Sequence, residues 1–363
     1  MNNPAQSIKQ MANIPQLRSR NQLFDFYKGV AIILVVTGHT FQYIIYPNNF
    51  DESLGFRLIY SFHMPLFVFI SGMISSYWIL EFKLLADLKN NLHLAIQRFT
   101  KSCIRLILPF ISWTIFKYFY YHMDVGILNY LYLTFQQPDE SLWFLPCIFM
   151  CILFWVFAQI LIASLIRIQA LRRLFQRYLT SPSRQMAYQF IFILLIWLIV
   201  KNHLPHAMGD LLKNFFIYFF LGVVTSQSPM LQNGKWKRII PYAAFILLAP
   251  LWHRNTVNHL PTSIHNLLSQ SITKFYPLVI ALSGSFAALD MSKILYEANL
   301  PLINKMVEYC GKISLGIYAI HFYILHIGIS IISPLFISIA ASTVILKIPV
   351  LRTLLLGEMM RSK

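Results

Sequence analysis

Charge is what this sequence has least of. Charged residues make up 12% of 363 positions and hydrophobic residues 57%, whereas a soluble domain carries about 25% of the former and about 45–50% of the latter. That balance excludes an ordinary soluble domain and implies an integral membrane protein. Acidic residues are scarcer still, 13 in all, and none falls well inside an apolar stretch; Asp25, Asp124 and Asp210 stand at or near the edges. A proton-coupled transporter places Asp or Glu within its helices, so that class is disfavoured. Cysteine is limited to Cys103, Cys147, Cys151 and Cys310. Neither a C-x-x-C pair nor a zinc spacing occurs, and Cys147 and Cys151, four residues apart in an apolar run, read as packing filler. Met1–Arg20 is polar and has no apolar core of a signal peptide, so insertion by the first span is expected. Internal repeats and low-complexity linkers are also missing, which favours one membrane domain over 27–350 between a 1–26 amino-terminal segment and a 351–363 tail.

What is present is a series of apolar runs. Ten spans are expected, at about 27–46, 58–80, 104–120, 142–166, 187–201, 211–226, 239–252, 272–289, 313–332 and 334–350, given that crossing needs about 17–25 residues. The fold class expected is all-α, a polytopic transmembrane helix bundle. Aromatics reach 15%, with Tyr and Trp near span ends as interfacial belts require. Net charge is +17. The basic residues are spread over short loops, so they point to membrane orientation and lipid contact rather than to nucleic acid. The amino terminus, the even-numbered loops and the carboxyl terminus hold 21 Lys and Arg residues, and the odd-numbered loops three: Arg57, Lys201 and Arg254. By the positive-inside rule both termini are then cytoplasmic.

With acids missing from the spans, an intramembrane base has to be histidine, and the candidates are His39, His63, His321 and His326. An ionisable ring at membrane depth is a functional-site hypothesis by default. His39 lies eleven residues past Lys28, roughly 16 Å along a helix axis. His63 lies about five residues into a span running the other way, roughly 8 Å from its start. Both rings fall in the middle-to-outer half of the membrane and are able to face one cavity. A neutral imidazole can take a hydroxyl proton near pH 7; the alternative is a ring hydrogen-bonded between helices. Gly38 and Gly72 read as close-packing positions. Pro65, two residues past His63, frees a backbone carbonyl that a cavity or a neighbouring helix must satisfy. His321 and His326 are five apart and do not share a helical face. The loop histidines His122, His203, His206, His253, His259 and His265 read as solvated; Pro205 breaks the helix that would align His203 with His206 as a metal pair, and no metal is expected. Arg98, Lys101 and Arg105 cluster before Pro109, either for topology and anionic lipid or as a clamp for a phosphorylated cytoplasmic ligand.

Together these residues resemble acyltransferase family 3, the integral-membrane acyltransferases that include sugar O-acetylases. Asp25-x-x-Lys28 followed by the run to His39 is similar to that family's basic residue, ten residues and histidine. Phe62–Gly72, Arg105–Pro109, Leu142-Trp143-Phe144-Leu145 and Gly311–His321 match in kind and order. Lys28 stands where many members have arginine; members resembling fucose acetylases often carry lysine there, which keeps the charge and loses the planar fork. No appended hydrolase-like domain is recognisable.

The resemblance implies a multi-pass protein of the bacterial inner membrane and an acetyl-CoA donor used from the cytoplasm. It further implies a hydroxyl acceptor on a cell-surface or lipid-linked glycan, and no permanently bound cofactor. In that reaction His39 accepts the proton of a sugar hydroxyl. Lys28, with Arg98 and Arg105, holds donor phosphates or helps order the site. His63 orients His39 or contacts the acceptor, and Trp143 and His321 line the acceptor cavity. The competing readings are a glycolipid transporter or flippase using the same cavity, and a structural membrane scaffold.

Overall fold

The computed structural model describes residues 22–79, 81–82, 88–121, 123–138, 142–168, 173, 182–204, 206–227, 235–254, 262–327 and 331–358. Among them the regular structure is entirely helical. In chain order the helices are α1 (Gln22–Thr40), α2 (Leu54–Tyr60), α3 (His63–Ile79), α4 (Leu88–Ser102), α5 (Leu108–Tyr120), α6 (Ile127–Gln136), α7 (Phe144–Leu165) and α8 (Pro182–Val200). They continue as α9 (His206–Gln227), α10 (Lys235–Leu248), α11 (Thr262–Glu297), α12 (Pro301–Lys312), α13 (Ser314–Ile327), α14 (Ser333–Lys347) and α15 (Pro349–Leu356).

A helix lies in each of the ten apolar stretches. By length and composition five are able to cross a membrane: Gln22–Ile45, Leu54–Ile79, Leu88–Tyr120, Phe144–Leu165 and Phe275–Glu297. Four shorter apolar helices are Arg184–Val200, Ile239–Leu251, Ser314–Leu325 and Ser333–Lys347. Three helices, α4, α6 and α12, fall outside the ten apolar runs; α4 is amphipathic. α6 is a short stretch between spans, and α12 is amphipathic, with polar residues interrupting its apolar stripe. α15 covers residues expected in the tail: it docks on α5, where Trp113 Nε1 donates to the Leu355 carbonyl at 2.9 Å.

α3 is apolar on every side, and it packs against α1, α9 and α11, as a helix without a polar face must. In lipid, apolar side chains gain little by associating, so helices join through close backbone approach at small residues. Two reciprocal glycine pairs do this here. A Cβ on Gly72 would meet the Phe219 carbonyl and one on Gly222 the Phe69 carbonyl, which locks α3 to α9. A Cβ on Gly29 would meet the Val307 carbonyl and one on Gly311 the Asp25 carbonyl, which locks α1 to α12. A single non-helical residue, Ile313, separates α12 from α13, and α13 also packs on α1. Ten residues separate Gly29 from His39, and ten separate Gly311 from His321. The α1–α12 lock therefore carries the two histidines to one level of the bundle.

Pro65 does not interrupt a continuous span. The chain turns at Ser61–Phe62 between α2 and α3, and Pro65 stands in the first turn of α3, where a missing N–H costs nothing. Gly72→Val should drive α3 off α9 and lower stability by about 1–3 kcal/mol, the usual cost of overpacking. A reduced thermal midpoint of the detergent-solubilised protein is the expected outcome.

Candidate active site

Three imidazoles meet at the end of α1. His39 is 9% exposed, His63 2% and His321 fully buried. The His39 and His321 rings stack with centroids 5.1 Å apart, and His63 stands edge-on to His39 at 6.1 Å. His39 Nδ1 lies 2.9 Å from His321 Nε2. His321 Nδ1 lies 3.0 Å from the Ile317 carbonyl one turn back, and His63 Nδ1 lies 3.0 Å from the Ile59 carbonyl.

The partners determine the tautomers. A carbonyl only accepts, so His321 carries its proton on Nδ1 and, as a neutral ring, presents a lone pair at Nε2. His39 must then donate from Nδ1, which leaves the lone pair of its neutral ring on Nε2. The same logic leaves His63 with a lone pair on Nε2, and that atom is buried without a hydrogen-bond partner among the described residues. The result is a directional chain from the Ile317 carbonyl through His321 to His39 that ends on a basic nitrogen. An orienting group behind a base is the arrangement that general-base catalysis uses.

Local sequence explains the presentation. Thr40 returns its hydroxyl to the Val36 carbonyl at 2.8 Å, and the next turn, Phe41–Ile45, widens into a π-helix, a form common at functional sites. Gly38 serves close packing: a Cβ there would press on Ile59 and Tyr60 at 3.0–3.1 Å. Tyr60 covers the imidazoles, with its ring centroid 4.6 Å from His63 and 5.7 Å from His39. Its hydroxyl bonds the Gln42 side chain from the π-turn. Phe322 closes another side at 4.5 Å from both His39 and His321.

The other candidate residues stand apart from this cluster. Lys28, at the opposite end of α1, pairs with the buried carboxylate of Asp25 at 2.9 Å; that acid, read from sequence as an edge residue, lies inside the α1–α12 contact. Arg98 bonds Glu81 and lies 5.5 Å from the Trp78 ring. Arg105 is exposed within a second π-turn, Cys103–Ile107, and its backbone packs on Gly357, whose φ of 63° suits only glycine comfortably. Trp143 is half-buried against Phe215 at 4.8 Å. It reaches the histidines through its neighbour: the Phe144 N–H donates to the Tyr318 hydroxyl at 3.2 Å, and Tyr318 lies 6.1 Å from His321.

The structure thus brings together His39, His63 and His321, and leaves Lys28, Arg98, Arg105 and Trp143 outside direct contact with them. His122 and the side chains of His206, His259, His265 and His326 lie outside the described residues. His203 caps α8 through the Ile199 carbonyl at 3.0 Å. No group of three potential metal ligands occurs among the described residues.

A family model described as an acyltransferase domain matches residues 21–354. The chain belongs to that acyltransferase family. It is also similar to two proteins named nodulation protein NolL. One, from Sinorhizobium fredii, is 54% identical over 65 residues, covering 17% of this chain and 18% of the relative. The other, from Mesorhizobium japonicum, is 52% identical over 60 residues, or 16% of each. The aligned part is less than one fifth of either relative. No solved structure matches.

Within this acyltransferase the sequence pattern of a base eleven residues past a cation is legible, but the partner of the base is not. Tyr60, Gln42 and Phe322 were not singled out either, since aromatic and amide residues at helix ends are ordinary. His321→Ala would leave a buried N–H of His39 without its acceptor, at a cost of about 1–3 kcal/mol. A thermal midpoint lower than that of His321→Gln, whose side-chain carbonyl can accept the same bond, is the expected result.

Proposed function

We propose that this acyltransferase is a bacterial inner-membrane O-acetyltransferase. It moves an acetyl group from acetyl-CoA on the cytoplasmic side to a hydroxyl of a cell-surface or lipid-linked glycan. In this reading both termini are cytoplasmic, the ten apolar stretches all cross, and residues 27–350 form the catalytic domain. The observation that carries the reading is the buried His321–His39 hydrogen bond, which aims the lone pair of His39 Nε2 away from its anchor.

His39 Nε2 takes the proton of the acceptor hydroxyl as the oxygen attacks the thioester carbonyl. The new C–O bond forms, the C–S bond breaks, and the thiolate of coenzyme A recovers the proton from His39. His321 accepts from the Nδ1–H throughout and stabilises the transient imidazolium. His63 Nε2, a second buried acceptor at 6.1 Å ring separation, takes a neighbouring hydroxyl of the sugar and so holds the reacting one in line. Lys28 lies about 16 Å below His39 along the helix, a fitting depth for a donor reaching up from the cytoplasm. Arg98 and Arg105 complete a basic inner face for its phosphates. Trp143 supports the acceptor cavity from behind Phe144.

General-base catalysis contributes about 10²–10⁴-fold, so His39→Ala should reduce transfer by at least that lower bound. The measurement is glycan mass in cells expressing wild type or variant at equal protein level, with a gain of one acetyl unit for wild type alone. Full acetylation by His39→Ala would remove the mechanism. A glycan mass unchanged by wild type, with the glycolipid relocated, would favour a transporter.

A further inference from the structure

Positive charge is rare in one set of loops, and where it occurs it is gathered at one place. The odd-numbered loops hold Arg57, Lys201 and Arg254. Lys201 is spent on Trp197, 4.7 Å from that ring centroid. The two arginines, far apart in sequence, converge above the histidines. Arg57 Nη1 donates to His253 Nε2 at 3.4 Å, and His253 is the chain neighbour of Arg254. The Arg254 guanidinium lies 5.7 Å from the Tyr60 ring and 5.1 Å from Phe50. Tyr60 itself covers His39 and His63. The Arg254 guanidinium therefore sits one aromatic layer from the imidazoles, at the end of α1 opposite Lys28, and Arg57 joins it through His253.

Asp51 accepts from the Arg254 backbone N–H at 3.4 Å, and the Glu52 contribution to Arg57 is its backbone carbonyl at 3.5 Å. Among the described residues no ion pair joins either guanidinium to a carboxylate. Two forked cations, one of them against an aromatic wall, are suited to a planar or tetrahedral oxyanion.

We infer that Arg57, His253 and Arg254 form an acceptor subsite for an anionic saccharide. It binds a carboxylate or phosphate group of that molecule and delivers a hydroxyl past Tyr60 to His39. Naming the ligand as acceptor rests on the acyl-transfer reading; the anion site itself does not. Arg254 is exposed and meets the anion first, whereas Arg57 is half-buried and held in place by His253. The converging field also raises the local concentration of anionic ligands at this mouth.

The test is calorimetric titration of the purified full chain in detergent, with coenzyme A saturating the donor side. The probes are inorganic pyrophosphate, glucuronate and neutral glucose. The expected result is saturable binding of one or both anions and none of glucose. Arg254→Gln should weaken anion binding at least tenfold, Arg254→Lys should weaken it less, and Lys201→Gln should leave it unchanged. A response to pyrophosphate alone assigns a phosphate-bearing ligand, and a response to glucuronate alone a uronate. Equal affinity in wild type and Arg254→Gln, or no saturable binding of either anion, overturns the subsite. Because binding is read without acetyl transfer, a protein that binds anions through Arg254 yet acetylates nothing would count against the reaction and not against the subsite.

Discussion

The structure turns on one hydrogen bond between two buried imidazoles. An imidazole in an apolar bundle has two nitrogens to satisfy, one as donor and one as acceptor, and an unpaired polar atom there is costly. His321 resolves this by giving its Nδ1 proton to the Ile317 carbonyl and its Nε2 lone pair to His39. Once that backbone acceptor is in place, the ring orientation and tautomer of His39 follow without further choice. A chain of neutral groups is thus arranged as the orienting group of a hydrolytic triad is, without an added carboxylate.

That bond requires α1 and α13 to lie side by side in one register, and the requirement passes down to glycine. Gly29 and Gly311 let the α1 and α12 backbones touch, α13 follows α12 after Ile313 and packs on α1, and equal lengths of chain bring both histidines to one level. The α3–α9 contact repeats the device at Gly72 and Gly222 and steadies the helix that carries His63. The buried Asp25 carboxylate sits in the same α1–α12 contact and holds Lys28 by an ion pair, so the cation of the sequence motif is tied to the helix that carries His39.

Chemistry is then divided along α1. One end carries Lys28 and Asp25; the other carries the imidazoles, Tyr60 and, beyond it, the arginines of two distant loops. The two π-turns fall at Phe41–Ile45, just past His39, and at Cys103–Ile107, which contains Arg105.

Read alone, the sequence determined that this chain is helical and suited to a membrane, because long apolar runs, scarce acids and asymmetric basic loops need no tertiary information to interpret. It also determined that His39 is the foremost candidate base, since an ionisable ring in an apolar run is costly wherever it packs. Only the tertiary structure decided that His321 rather than His63 is hydrogen-bonded to His39, and that Arg57 meets His253. Those are contacts between segments up to 282 residues apart. Helical periodicity reports which face a residue occupies and at what depth, but the rotation and register of one helix against another are set by where backbones can approach, and no single helix contains that information.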